Sequence, residues 1–148
     1  MKNVSYGKMI DLKDSLRIDS EVIGNNSRNE EIRAAIVEQR CLVYKMNGKN
    51  AGFLIFHTSF FDNAFISLVV VSPTDRRKGV ARSLMRNFEE LSPTDKIFSS
   101  TNQSNEVMQH LFHSLGYVEC GSIDHLDEGD PEIIYFKGIT TRIKRGGD

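Results

Sequence analysis

Hydrophobic positions along the chain alternate between period two and period 3.6, and the changeovers divide it into successive strands and helices. Residues 4–10 read as a strand, and residues 13–23 as a helix stopped by Gly24-Asn25-Asn26. Ser27-Arg28-Asn29-Glu30 fits a capping box, which would open a second helix carrying Ile32, Ala35 and Ile36 on one face. The middle of the chain is strand-like: residues 41–46, a turn at 47–50, residues 51–60, a tight connection at Asp62-Asn63, then residues 64–71, an antiparallel meander.

After Pro73 the period becomes helical, with Val80, Ala81, Leu84, Met85, Phe88 and Leu91 on one stripe. Residues 97–101 form a short strand, and Val107, Met108, Leu111, Phe112 and Leu115 repeat the stripe until Gly116 ends it. Residues 117–123 and 133–137 supply two more strands, separated by an acidic stretch at 124–132. Residues 139–148 are polar and basic and read as a frayed tail.

Composition narrows the classes. At 148 residues, with 39% apolar and 26% charged side chains, the chain suits one globular domain, expected over residues 1–138. No apolar run approaches the roughly 20 residues that cross a bilayer, and Met1 to Tyr6 lacks the apolar stretch of a secretory signal, so a cytoplasmic location is expected with no membrane partner. A net charge of −1 argues against nucleic acid, which needs a broad basic surface. The basic residues Arg142, Lys144 and Arg145 of the tail are all that a nucleic-acid-binding regulator would have. Cys41 and Cys120 are too few for a disulfide framework or a Cys-based metal cluster, so buried or half-buried thiols and no metal are expected.

The informative segment is Val69-Val70-Val71-Ser72-Pro73-Thr74-Asp75-Arg76-Arg77-Lys78-Gly79-Val80-Ala81-Arg82, a strand, a turn and a helix start. Amides of a helix's first turn lack intrahelical partners and lie at the positive end of the macrodipole, so they are available to a pyrophosphate. Gly79 and Ala81 keep side chains clear, and Arg76, Arg77, Lys78 and Arg82 raise the local potential. A P-loop would need Gly-x-x-x-x-Gly-Lys-Ser/Thr, which is absent, and the dinucleotide fingerprint lacks its first Gly.

Arg76-x-x-Gly79-x-Ala81 after Val71-x-Pro73 resembles the acyl-CoA signature of the GNAT superfamily of N-acetyltransferases. Asn105, then Leu111-Phe112 and Gly116-Tyr117, resembles the family's second motif, in the expected order. The resemblance covers about residues 1–138. It implies an α/β (α+β) fold: a central mixed, mostly antiparallel sheet of about six to seven strands flanked by about four helices.

It further implies that acetyl-CoA, as co-substrate, lays its pyrophosphate on the amides of Arg77, Lys78, Gly79, Val80, Ala81 and Arg82. Its pantetheine arm would follow the main chain of Val69, Val70 and Val71, with Asn105 helping to hold it. Their side chains read as core, because three successive Val suit a strand covered on both faces.

The implied activity is transfer of an acetyl group to a primary amine of a small molecule or peptide by direct attack on the thioester. The alternative is an acyl-CoA-binding module without catalysis, and two departures favour it. Phe112 stands where the family often carries a Tyr acid, and Ser100 where some members carry a Glu base. The missing acid should slow reaction without forbidding it, since a thiol of pKa ~8.5 can leave as thiolate. His57, His113 and His125 are candidate bases by chemistry alone. The run Asp127-Glu128-Gly129-Asp130-Pro131-Glu132 is either a solvated turn or a lure for a cationic acceptor, with Glu128 and Asp130 as its candidate contacts. Family members often dimerise, which leaves a homodimer open.

Overall fold

The computed structural model describes residues 3–139. Seven strands and four α-helices follow one another as β1 (Val4–Tyr6), α1 (Leu12–Ile23), α2 (Asn29–Val37), β2 (Cys41–Met46), β3 (Lys49–Phe60), β4 (Asn63–Val71), α3 (Val80–Leu91), β5 (Lys96–Asn102), α4 (Glu106–Ser114), β6 (Val118–Ile123) and β7 (Glu132–Gly138). The strands form one mixed sheet in the order β1-β2-β3-β4-β5-β7-β6. Four of its neighbouring pairs are antiparallel and β4 with β5 is parallel, as the expected fold class requires. The chain divides into two compact units: residues up to Phe56 with Ser67–Phe88, and His57–Ile66 with Glu89 onward.

In the first unit, residues of one strand parity, Cys41, Val43, Phe53, Ile55 and Val70, meet Leu12 and Ile18 of α1 and Ile32, Ala35 and Ile36 of α2 in one buried cluster. Phe56 has the opposite parity and packs on Phe88 of α3, ring centroids 4.6 Å apart. Helices therefore cover both faces of these strands. Asn47 and Gly48, at φ 54° and 78°, make the two-residue link of the β2–β3 hairpin, which lies inside the expected turn. Phe61 and Asp62, at φ 51° and 63°, turn β3 into β4 one residue earlier than expected.

In the second unit β7 lies between β5 and β6. Its Tyr135 stacks on Phe112 of α4, centroids 4.4 Å apart, with Tyr117 at 5.5 Å from Phe112. On the other strand parity, Phe65, Phe60, Phe98 and Phe136 form, in that order, a half-buried ladder of rings, each 4.8–5.3 Å from the next. Lys137 Nζ is held by Glu89 Oε1 at 2.9 Å and by the Leu115 carbonyl at 2.6 Å, which caps the end of α4.

Several expectations give way to local chemistry. The first strand stops at Tyr6 rather than residue 10, because Asp11 accepts from the Lys8 amide at 2.8 Å and curls Met9–Asp11 into a 3-10 turn. The Asp11 carboxylate, 6% exposed, is then paired with Lys45 at 2.8 Å. The capping box at 27–30 does not form. Ser27 instead donates its amide to Asn25 Oδ1, and Arg28 is the N-cap of α2, with no side-chain cap bond. The Arg28 guanidinium forks onto Asp19, a fully buried carboxylate, at 2.5 and 3.3 Å, and so ties α1 to α2.

Val70 is buried while Val69 and Val71 are half-buried, so the cover over the triple Val is complete on one face and partial on the other. Val107, 81% exposed, falls outside the α4 stripe. Cys41 is buried, and burial together with the Asp11 carboxylate pushes its thiol up to about 12, whereas Cys120 is exposed on β6 rather than half-buried. Ile139 is buried and its amide donates to the Asp95 carbonyl; the remainder of the expected tail lies outside the described residues. Among the described residues no helix is long and apolar enough to cross a membrane.

Removing one partner of a buried ion pair leaves an uncompensated charge, which costs about 3–5 kcal/mol. Arg28→Met should therefore lower unfolding stability by roughly that amount, and adding Asp19→Asn should restore much of it. Denaturant titration of the three variants reads this directly.

Candidate functional site

The strand, turn and helix singled out in the sequence lie wholly in the first unit. Strand β4 ends at Val71, and Ser72 fastens the chain by donating its amide to the Ala51 carbonyl at 2.8 Å. Pro73–Asp75 makes a 3-10 turn, Arg76 is extended, and Arg77 and Gly79 both take the left-handed conformation, at φ 64° and 80°. Alternating backbone signs turn successive N–H groups toward a shared concavity. An α-helical bond runs from the Ser83 amide to the Gly79 carbonyl, which places Val80, Ala81 and Arg82 in the first turn of the helix, where amides as a rule precede the i−4 ladder.

Gly79 is needed for its φ, and a Cβ built there would meet nothing within 4 Å. The space beside Gly79 on its Cβ side is therefore open. Arg76, Arg77, Lys78 and Arg82 are all exposed, Arg82 as the third residue of α3. Lys78 folds back onto Asp75 at 3.1 Å and lines an open cleft of about 410 Å³ with Asp14, Arg17, Lys49 and Asp75, which no pattern in the sequence announced.

A second feature that the sequence pattern did not reveal is Gly52, in β3. A Cβ there would lie 2.7 Å from the Val70 carbonyl oxygen and 2.9 Å from Val80 Cγ1. Glycine thus lets β3 approach the end of β4 and the first residue of α3. A glycine inside an otherwise apolar strand is the signal for such an approach.

In the second unit, Asn105 is the N-cap of α4. Its Oδ1 accepts from the Met108 amide at 3.1 Å, and the residue remains exposed. The residues before it are gripped by the acidic run. Ser100 Oγ donates to Glu132 at 2.6 Å, Asn102 Nδ2 donates to Asp127 at 2.9 Å, and Ser104 gives its amide and hydroxyl to Asp130 at 3.0 and 2.6 Å.

A family model for the acetyltransferase (GNAT) family matches residues 10–117. This chain belongs to the GNAT acetyltransferase family. Among solved structures it is 47% identical to a GNAT-family acetyltransferase from Bacillus cereus, over 93% of this chain and 96% of that one, with a TM-score of 0.90. It shares its fold with the ribosomal-protein-S18-alanine N-acetyltransferase from Escherichia coli, at 21% identity over 92% of each chain and a TM-score of 0.77. The same holds for yncA from Salmonella typhimurium, solved with its cofactor acetyl-CoA, at 14% identity, 92% of each chain and a TM-score of 0.75. No curated protein matches the sequence.

For a GNAT acetyltransferase the positions of acid and base matter next. Phe112 is fully buried between Tyr117 and Tyr135, and has no proton to give. The hydroxyls of Tyr117 and Tyr135 beside it are buried with no hydrogen-bond partner among the described residues. Burial, together with Glu89 for Tyr117 and Glu119 for Tyr135, pushes both phenols above their ordinary range.

Ser100 itself carries no carboxylate, yet Glu132 brings one to its hydroxyl from the neighbouring strand. That juxtaposition depends on the β5–β7 register, Asn102 opposite Glu132 and Ser100 opposite Ile134, and cannot be read along β5 alone. The histidines are dispersed. His57 is stacked on Phe65 and accepts from the Ser59 amide through Nδ1, His113 is exposed 3.8 Å from Glu119, and His125 is exposed at φ 75°. Glu128 is exposed, whereas the Asp130 carboxylate is committed to Ser104 through both oxygens.

Inserting a methyl at Gly52 forces the neighbouring backbone to move, and overpacking of this kind costs about 1–3 kcal/mol. Gly52→Ala should lower the denaturation midpoint accordingly. A midpoint equal to that of the natural protein would mean that β3 does not need this approach.

Proposed function

We propose that the protein is an acetyl-CoA-dependent N-acetyltransferase, moving an acetyl group to a primary amine of a small molecule or peptide by direct attack on the thioester. The observation that carries this reading is the loop from Arg76 to Arg82: the N-terminal turn of a helix, left-handed Arg77 and Gly79 with no atom within 4 Å of a Cβ built at Gly79, and a cluster of cations on a chain of net charge −1. Membership of the GNAT family supports acetyl transfer. An N-acetyltransferase and an acetyl-CoA complex among its structural relatives support the nitrogen acceptor and the cofactor.

In this reading the amides of Arg77 to Arg82 take the pyrophosphate and the main chain of Val69 to Val71 takes the pantetheine arm; Asn105, whose Oδ1 is spent on its helix cap, keeps its Nδ2 as a donor for the cofactor. The neutral fraction of the acceptor amine attacks the thioester carbonyl. As its lone pair becomes the new C–N bond, the nitrogen's N–H turns acidic, and Glu132 accepts that proton directly or through the Ser100 hydroxyl. The C–S bond then breaks, its electron pair leaving on sulfur. A thiolate with a conjugate-acid pKa of ~8.5 is a sufficient leaving group without a proton from position 112.

Incubation with acetyl-CoA and a panel of amines, followed by free thiol, tests the reading. Thiol release that requires an amine is the expected result. CoA binding with no release for any amine would favour a binding module instead. Glu132→Gln should lower kcat by about a hundredfold while leaving CoA affinity unchanged, the lower end of the usual effect of a general base. Gly79→Val should abolish CoA binding in calorimetry, since its side chain enters the space before the amides, and should also lose about 1–3 kcal/mol of stability to the left-handed backbone. Undiminished affinity in the folded variant would remove the loop from the site.

A further inference from the structure

The acidic run has the composition of a lure for a cationic substrate, but its bonds point elsewhere. Asp127 and Asp130 both spend their carboxylates on the segment between β5 and α4. Asp127 Oδ2 accepts from Asn102 Nδ2 at 2.9 Å, and Asp130 accepts the Ser104 amide at 3.0 Å and the Ser104 hydroxyl at 2.6 Å. The backbone completes the grip: the Gln103 amide donates to the Pro131 carbonyl at 2.8 Å, and Asn102 Nδ2 also reaches the Asp130 carbonyl at 3.5 Å. The clasp is itself closed by a turn, the Asp130 amide donating to the Asp127 carbonyl at 3.1 Å through a left-handed Gly129 at φ 70°.

On the other side, Gln109 of α4 donates its side-chain amide to the Asn102 and Gln103 carbonyls. Asn105 follows at once, its own amide bonded to the Asn102 carbonyl at 3.0 Å. The short link between β5 and α4 is thus fixed from two directions immediately before the residue assigned to the cofactor.

We propose that Asp127 and Asp130 are positioning residues for acetyl-CoA, holding the β5–α4 link so that Asn105 presents its side-chain amide donor to the cofactor arm, and are not contacts for the acceptor amine. This rests on the acetyl-CoA reading above. The physical gain is pre-organisation: charge-assisted bonds order the link before binding, so less freedom is lost when the cofactor arrives. Each Asp130 oxygen already accepts a bond from Ser104, which fixes that carboxylate against the link. Of the two residues expected to contact the acceptor, only Glu128 is exposed.

Calorimetric titration with CoA and initial rates with acetyl-CoA and a cationic amine, each varied in turn, separate the roles. Asp130→Ala should weaken CoA and raise the acetyl-CoA KM by about tenfold, the loss of one charged hydrogen-bonding group. The amine KM and its salt dependence should stay as they were. Asp130→Asn, which keeps an oxygen for the Ser104 amide, should recover most of the affinity.

Adding Asp130→Ala to Asn105→Ala should cost little more than Asn105→Ala alone, because both act through one contact. Amide hydrogen exchange at Ser104 should speed up in Asp130→Ala. If that variant does not fold, Ser104→Ala removes only an exposed hydroxyl and should weaken CoA by about threefold. A raised amine KM with unchanged CoA affinity, or full additivity with Asn105→Ala, overturns the proposal. A natural protein that fails to bind CoA at all overturns the acetyl-CoA reading itself, and the first titration distinguishes the two failures.

Discussion

Under the first turn of α3 there is no room for a side chain, and the candidate cofactor loop depends on that fact. Gly52 brings β3 against the Val70 carbonyl and the Val80 side chain at distances that a Cβ would violate. Val80 is 2% exposed and anchors the helix at its first residue. With its base fixed, the chain between Val71 and Val80 is short and must reverse through two left-handed residues, Arg77 and Gly79. That first-turn amides precede the i−4 ladder is a consequence of helix geometry, but where this helix starts is set by this packing. An anion is held at a loop of this kind mostly by backbone, which is why the proposed cofactor site is compatible with a nearly balanced charge.

Charged groups elsewhere serve as fasteners. Asp19 with Arg28 joins α1 to α2, Asp11 with Lys45 ends β1 and braces β2, and Glu89 with Lys137 secures the end of α4. Each pairs a largely buried carboxylate with a more exposed cation, an arrangement that stabilises modestly when intact and costs much more when one member is removed. Asp127 and Asp130 extend the habit to the surface, where they clasp a link that would otherwise be held from the α4 side alone. Carboxylate density in the sequence therefore indicates structure here before it indicates substrate.

The chemistry is equally dependent on neighbouring strands. Along β5, position 100 is a serine and offers no base. Across the sheet, Glu132 supplies a carboxylate to that serine because β7 is inserted between β5 and β6. At position 112 the side chain is enclosed by Tyr117 and Tyr135, whose hydroxyls are themselves buried and unpaired among the described residues. The absence of a phenol at 112 is thus accompanied by two phenols packed against the same ring, both pushed above their ordinary range by burial.

What the sequence determined by itself is what periodicity and local backbone chemistry control. The limits of α1, β2, α3 and α4, the left-handed stop at Gly24, the turn containing Asn47-Gly48 and the Gly79 loop follow from residues close together in the chain, and the ordered motifs were enough to identify the family. Tertiary structure decided whatever depended on a partner distant in sequence. Arg28, at the start of α2, was committed to a buried Asp19 on α1. The three valines of β4 suggested uniform burial, yet only Val70 has full cover on its side of the strand. The acidic run read as a solvated turn or a lure until the folded chain brought Asp127 and Asp130 to Asn102 and Ser104, more than twenty residues apart. Hydrogen bonds between such segments leave no period in the sequence, because their geometry is set by strand register and loop closure rather than by local propensity.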